Sequence, residues 1–285
     1  MKKRFLLIVP FLVVATCPPG ETNDARANDI VSPSNCDSKV NSGLVPQCSI
    51  AAVPAHSYLN NVCHLKIYRK FVFDLSPNYG SAFVYRERYL ITAAHNVYQQ
   101  RSRIRKIEVR CGQAVVDEED APDFVIESDQ FFEASRFYSP VPFISKDFSD
   151  DFGVIKLPTK VFGAMPIELA ETSSQKGDLV AIAGYPGGNL SDALVLYGAD
   201  GRVTEPASGD GMISYDIQTY TGNSGGPVFS VGEDGQPDML AAIHVTNSGG
   251  RVVRDAVSDN EQADARNEFA LEVDRLIRLI DGRTS

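Results

Sequence analysis

The 285-residue chain has no run of about 20 apolar residues, so no membrane-spanning helix is expected. It also has no excess of positive charge. Its 27 Lys and Arg face 37 Asp and Glu, and the net charge of −10 excludes a nucleic-acid binder driven by bulk basic charge. C-x-x-C and paired His are both missing, so the Cys and His spacing offers no zinc site, and no metal or cofactor is expected. No internal repeat is present. With 43% hydrophobic and 22% charged residues, the composition lacks the bias of a disordered, collagen-like or coiled-coil chain.

What is present begins with an address. Lys2-Lys3-Arg4 precedes the uncharged apolar stretch Phe5 to Thr16, a basic n-region and a short h-region, so residues 1–16 read as a signal peptide. A buried N-terminal helix is the competing reading, opposed by Pro10 and by the polar stretch from Glu21. Val14-Ala15-Thr16-Cys17 resembles a lipoprotein box, with Thr16 a poor fit, which makes Cys17 a candidate lipid anchor; Ala25-Arg26-Ala27 is a rival A-x-A cut site. Loss of residues 1–16 leaves 24 basic against 37 acidic residues, a net charge of −13. The expected location is secreted or periplasmic, as a monomer.

Cys36, Cys48, Cys63 and Cys111 remain once Cys17 is set aside. In an exported chain they suggest two disulfides with three connectivities, of which Cys63–Cys111 with Cys36–Cys48 is preferred. Residues 17–57, rich in Pro, Ser, Asn and Asp at their start, read as a propeptide or flexible N-terminal segment. Removal or displacement of 28–52 on maturation is expected.

The folded body spans 58–285. Strands are predicted at Cys63–Tyr68, Ser81–Tyr85, Tyr89–Thr92, Lys106–Cys111, Leu179–Ala183, Ala193–Tyr197, Met212–Ile217, Pro227–Phe229 and Leu240–Val245. Many short strands without alternating helices indicate an all-β sandwich or barrel. The acidic run Asp117–Asp120 reads as a solvated loop in preference to a cation site. Phe269, Val273, Leu276, Ile277 and Ile280 recur at helical spacing, which predicts a terminal amphipathic helix over 267–281.

Three stretches carry chemistry. Thr221-Gly222-Asn223-Ser224-Gly225-Gly226-Pro227 sets a Ser between glycines, where the backbone can turn tightly and aim amides beside the hydroxyl. Thr92-Ala93-Ala94-His95 puts a His directly after an apolar strand, and Asp151-Phe152-Gly153-Val154 puts a carboxylate at the head of another. Singly, each has a structural explanation: a turn, a bonded structural His, a strand-start cap. The three in this order resemble the trypsin/chymotrypsin family of serine proteases over roughly residues 58–281.

The resemblance implies two six-stranded β-barrels, about 58–160 and 161–266, with a C-terminal helix at 267–281 and the active site between the barrels. It implies a serine endopeptidase acting on protein or peptide substrates, with Ser224 as nucleophile, His95 as general base and Asp151 orienting the imidazole. The amides of Gly222 and Ser224 would form the oxyanion hole. Asp147 and Asp150 are rival carboxylates that lack the apolar strand pattern. The family's trypsin branch has an Asp before the nucleophile that pairs with the newly cut N-terminus; Asn223 stands there instead and carries no charge.

The resemblance also marks Gln218 as the pocket-base position, where no carboxylate is present to select Lys or Arg. Thr219 and His244 are similar to the pocket residues of the glutamyl endopeptidase branch, which implies recognition of a Glu carboxylate by an imidazole that charges readily. A small or apolar preference, with His244 a core residue, is the competing reading. A non-catalytic secreted binding module that keeps the fold is the alternative from another functional class.

Overall fold

The computed structural model describes residues 31–36, 43–69, 77–97, 104–127, 137–138, 151–187, 194–207, 212–245, 251–253 and 268–283. The signal stretch with Cys17, and the rival carboxylates Asp147 and Asp150, lie outside them. Two antiparallel sheets organise the described chain. The first runs in the order β7-β6-β3-β4-β5-β9-β8, with β3 Val62–Arg69, β4 Asn78–Tyr85, β5 Tyr89–Thr92, β6 Ile104–Cys111, β7 Phe124–Glu127, β8 Phe137–Tyr138 and β9 Gly153–Lys156.

The second sheet contains β10 Leu179–Gly184, β11 Tyr197–Glu205, β12 Met212–Tyr215, β13 Pro227–Val231, β14 Pro237–His244 and β15 Arg251–Val253. Its order β11-β10-β13-β14-β15-β12 closes on itself because β12 also pairs with β11. This is a six-stranded barrel. The first sheet stays open among the described residues.

Strands β4 and β5 of the first sheet are legible as nearly continuous apolar runs because both of their faces are buried, whereas β7 alternates buried and exposed residues. Along β4, Ala82 and Val84 join Leu65, Leu90 and Val109 inside the first sheet. Phe83 and Tyr85 point the other way, into a layer shared with Phe229, Ile243 and the C-terminal helix. That helix, α2, spans Glu268–Arg283 and buries Phe269, Val273, Leu276, Ile277 and Ile280, the stripe expected from the sequence.

Two expectations change in detail. The strand expected at Ala193–Tyr197 begins at Tyr197 and extends to Glu205. Its polar second half hides it from an apolar-run criterion, and Gly201 lies where a Cβ would stand 2.4 Å from Asp216 Oδ1. The N-terminal segment, expected as a propeptide or flexible tail, is in part built into the second sheet. β1 Val31–Cys36 and β2 Cys48–Ile50 pair with each other, and β2 pairs with Tyr197 and Gly198 of β11. The disulfides join Cys36 to Cys48 and Cys63 to Cys111.

Candidate active site

His95 sits on the one-turn helix α1, Ala94–Val97, which follows β5 directly. The β5–β9 ladder sets Thr92 opposite Gly153, so the residues just beyond the paired stretch, His95 and Asp151, converge. Asp151 is fully buried and accepts twice from the same residue: at Oδ1 from the His95 amide, 2.8 Å, and at Oδ2 from the His95 ring Nδ1, 2.5 Å. Engagement of Nδ1 by a carboxylate fixes the ring and leaves Nε2 as its free nitrogen. The His95 side chain is about a quarter exposed (24%), so that nitrogen remains approachable.

The Ser224 loop is clamped against the first sheet. The Ser224 carbonyl accepts from Ser81 N at 2.9 Å and from Asn96 Nδ2 at 2.7 Å. Ser81 is fully buried and also donates from Oγ to Gly222 O at 2.8 Å, while accepting from Tyr185 N. Gly222 and Gly225 are required where they stand. Both have positive φ, and a Cβ on Gly225 would lie 2.2 Å from Ser81 O.

Asn223 N donates to Tyr220 O, Gly225 N to His244 O and Gly226 N to Asn223 O. Among the described residues, the amides of Thr221, Gly222 and Ser224 have no acceptor. The Ser224 hydroxyl donates to Val245 O at 3.4 Å and makes no hydrogen bond to His95 in this structure.

The pocket candidates are placed less uniformly. Gln218 is half-buried, and its side-chain amide folds back onto Thr219 O at 3.3 Å. Thr219 is buried, and its Oγ1 has no hydrogen-bond partner among the described residues. His244 closes β14, fully buried, with Nδ1 2.7 Å from the Tyr215 hydroxyl. The expectation of a readily charged imidazole fails here. Burial pushes its pKa down to about 3, with the nearby His95 as a second cause. Burial also holds the Tyr215 hydroxyl well above its usual range, hence protonated.

Ser81, Asn96, Tyr215 and Gln47 were not singled out from the sequence, yet all contact the site or its supports. Only Asn96 carried a local signal, as the neighbour of His95. No His, Cys, Asp and Glu cluster among the described residues could hold a metal.

The family model of the trypsin-like peptidase domain matches residues 80–237, more than half of the chain. The chain belongs to the trypsin-like peptidase family. Solved structures agree on the fold of this peptidase. A Glu endopeptidase in complex with MPD is 18% identical, covering 81% of this chain and 94% of that one, with a TM-score of 0.53. An HL collagenase is 17% identical, covering 80% and 96%, with a TM-score of 0.55. An inactivated protease paralogue of the scabies mite is 13% identical, covering 79% and 97%, with a TM-score of 0.54. At these identities the likeness establishes the fold alone. No curated protein sequence matches the chain.

Proposed function

We propose that this peptidase is an exported serine endopeptidase that works through His95, Asp151 and Ser224. The observation that carries the reading is the buried Asp151 bound to both the amide and the ring of His95, beside a Ser224 loop in which the amides of Gly222 and Ser224 are among those with no acceptor among the described residues. Ser224 Oγ attacks the scissile carbonyl carbon while His95 Nε2 takes its proton, and Asp151 stabilises the imidazolium. The negative charge moves to the carbonyl oxygen, which the amides of Gly222 and Ser224 receive. His95 then protonates the leaving amine as the C–N bond breaks, and water releases the acyl group by the same route. Rotation of the Ser224 hydroxyl from Val245 O towards His95 precedes attack; such bonds commonly tighten only with substrate bound.

For the residue before the scissile bond, the donors of His244 and Thr219 support Glu. Donation by Tyr215 O–H to Nδ1 leaves the His244 proton on Nε2, a neutral donor, and Thr219 Oγ1 is a second donor with no hydrogen-bond partner among the described residues. A bound carboxylate would favour the protonated ring and thus strengthen its own site. Peptides that differ only at this residue test the reading. Cleavage after Glu is expected to exceed cleavage after Ala, Phe and Arg, with the preference lost in His244→Ala. Efficient cleavage after Arg would contradict it, and a small or apolar preference would return His244 to the core.

A further inference from the structure

Asn223 stands where the trypsin branch has a charged residue paired with a freshly cut N-terminus, and the structure offers it a different partner. Asn223 is fully buried. Its Oδ1 accepts from Tyr220 N, within its own loop, and its Nδ2 donates to Gln47 Oε1 at 3.4 Å. Gln47 is also fully buried, 176 residues away in sequence.

Gln47 is held from both sides. Val45 N donates to Asp216 O at 2.6 Å, and Gln218 N donates to Val45 O at 2.8 Å, so residue 45 is bridged to the strip that leads into the Ser224 loop. Cys48 is paired with Gly198 and disulfide-bonded to Cys36. Gln47 Nε2 finds no acceptor among the described residues. An unpaired buried donor costs stability, so Gln47 is a poor choice for packing alone.

We propose that Gln47 is a positioning residue for the oxyanion loop: the uncut segment Val45–Ile50 replaces, with a neutral amide pair, the charge pairing that a new N-terminus would otherwise supply. The loop is therefore formed without a cut, and the active chain retains Gln47. This reverses the expectation that 28–52 is removed or displaced on maturation. It rests on the serine-peptidase reading above.

Two measurements on the exported full-length protein test it. The first labels active protein with a fluorophosphonate and reads the reduced mass of the labelled chain. A labelled chain that begins upstream of Val45 is expected. A labelled chain that lacks Gln47 overturns this proposal and leaves the peptidase reading intact. No label on any form overturns both.

The second compares Gln47→Leu with wild type. The variant removes the amide pair while keeping an apolar side chain in place. A kcat lower by roughly ten-fold or more is expected, with KM changed by less than about three-fold and the melting temperature little changed, because the variant removes the unpaired Gln47 Nε2 and leaves Asn223 Nδ2 without its acceptor. Unchanged kcat overturns the proposal. If Gln47→Leu fails to fold, Gln47→Met is read by the same criteria, and the mass of the labelled wild-type chain decides alone if both fail.

Discussion

The side-chain amide of Asn96 donates to the carbonyl oxygen of Ser224 at 2.7 Å, so the residue after the candidate base holds the residue proposed as nucleophile. Asn96 Nδ2 also donates to Thr92 Oγ1, which in turn donates to Ser81 O. A chain of buried hydrogen bonds thereby ties β4, β5 and the Ser224 loop into one unit. Asn96→Ala is expected to lower kcat by roughly ten-fold or more, while costing only about 1–3 kcal/mol of stability, because Ser81 N still serves the same carbonyl. Steady-state kinetics beside urea unfolding would check both halves.

Asp151→Asn preserves the shape of the site but offers His95 a neutral amide in place of a carboxylate. The imidazole then loses its charged partner and its enforced tautomer. A fall in kcat of roughly 10³–10⁴-fold at neutral pH is expected, with KM little changed. An effect below ten-fold would remove Asp151 from the mechanism.

Gly225→Ala would force a Cβ to 2.2 Å from both Ser81 O and Thr92 Oγ1 and to 2.8 Å from Ala93 N, at a φ of 86°. Two of these three neighbours are backbone and cannot rotate away. A loss of more than about 2 kcal/mol is expected, with activity reduced in the fraction that folds. Gly235→Ala is the control, since it has a similar φ of 78° but open space around its Cβ. Its cost is backbone strain alone, so it should be less destabilising.

Acid sensitivity follows from two buried neutral histidines. Burial pushes the pKa of His64 down to about 4, with the Arg110 guanidinium as second cause, and that of His244 to about 3. In the unfolded chain both titrate near about 6.5, so below that pH the unfolded state binds more protons than the folded one. Stability therefore rises with pH across this window, and is lost as pH falls from about 6.5 towards 4 for His64 and 3 for His244. Each residue contributes a slope approaching about 1.4 kcal/mol per pH unit. His64 packs against the rings of Tyr79 and Tyr185, and neither ring nitrogen has a hydrogen-bond partner among the described residues. His64→Leu should therefore lower the pH dependence of the urea midpoint between about pH 6 and 5, and raise the midpoint at the acid end. An unchanged slope would contradict the assignment.

The motifs were legible because the chemistry confines residue type: glycines where Ser224 needs a tight turn, small residues behind His95, an apolar strand after Asp151. The strands β3 to β5 and the stripe of α2 were legible because continuous burial writes continuous or periodic apolar patterns. Ser81 and Gln47 were hidden for the opposite reason. Each is a single polar residue whose meaning depends on a partner 141 or 176 residues away, Gly222 and Asn223 respectively. β2 was hidden too, since three residues in a Pro- and Ser-containing segment show no periodicity, and only pairing with β11 makes them a strand. The charge state of His244 could not be read from its type. Its depressed pKa is a property of complete burial.

The most direct test of the central claim is the position of the covalent adduct after fluorophosphonate labelling, mapped by peptide mass. The account predicts a single adduct on Ser224, absent in Ser224→Ala and strongly slowed in His95→Ala. An adduct on another serine, or undiminished labelling in Ser224→Ala, would contradict it.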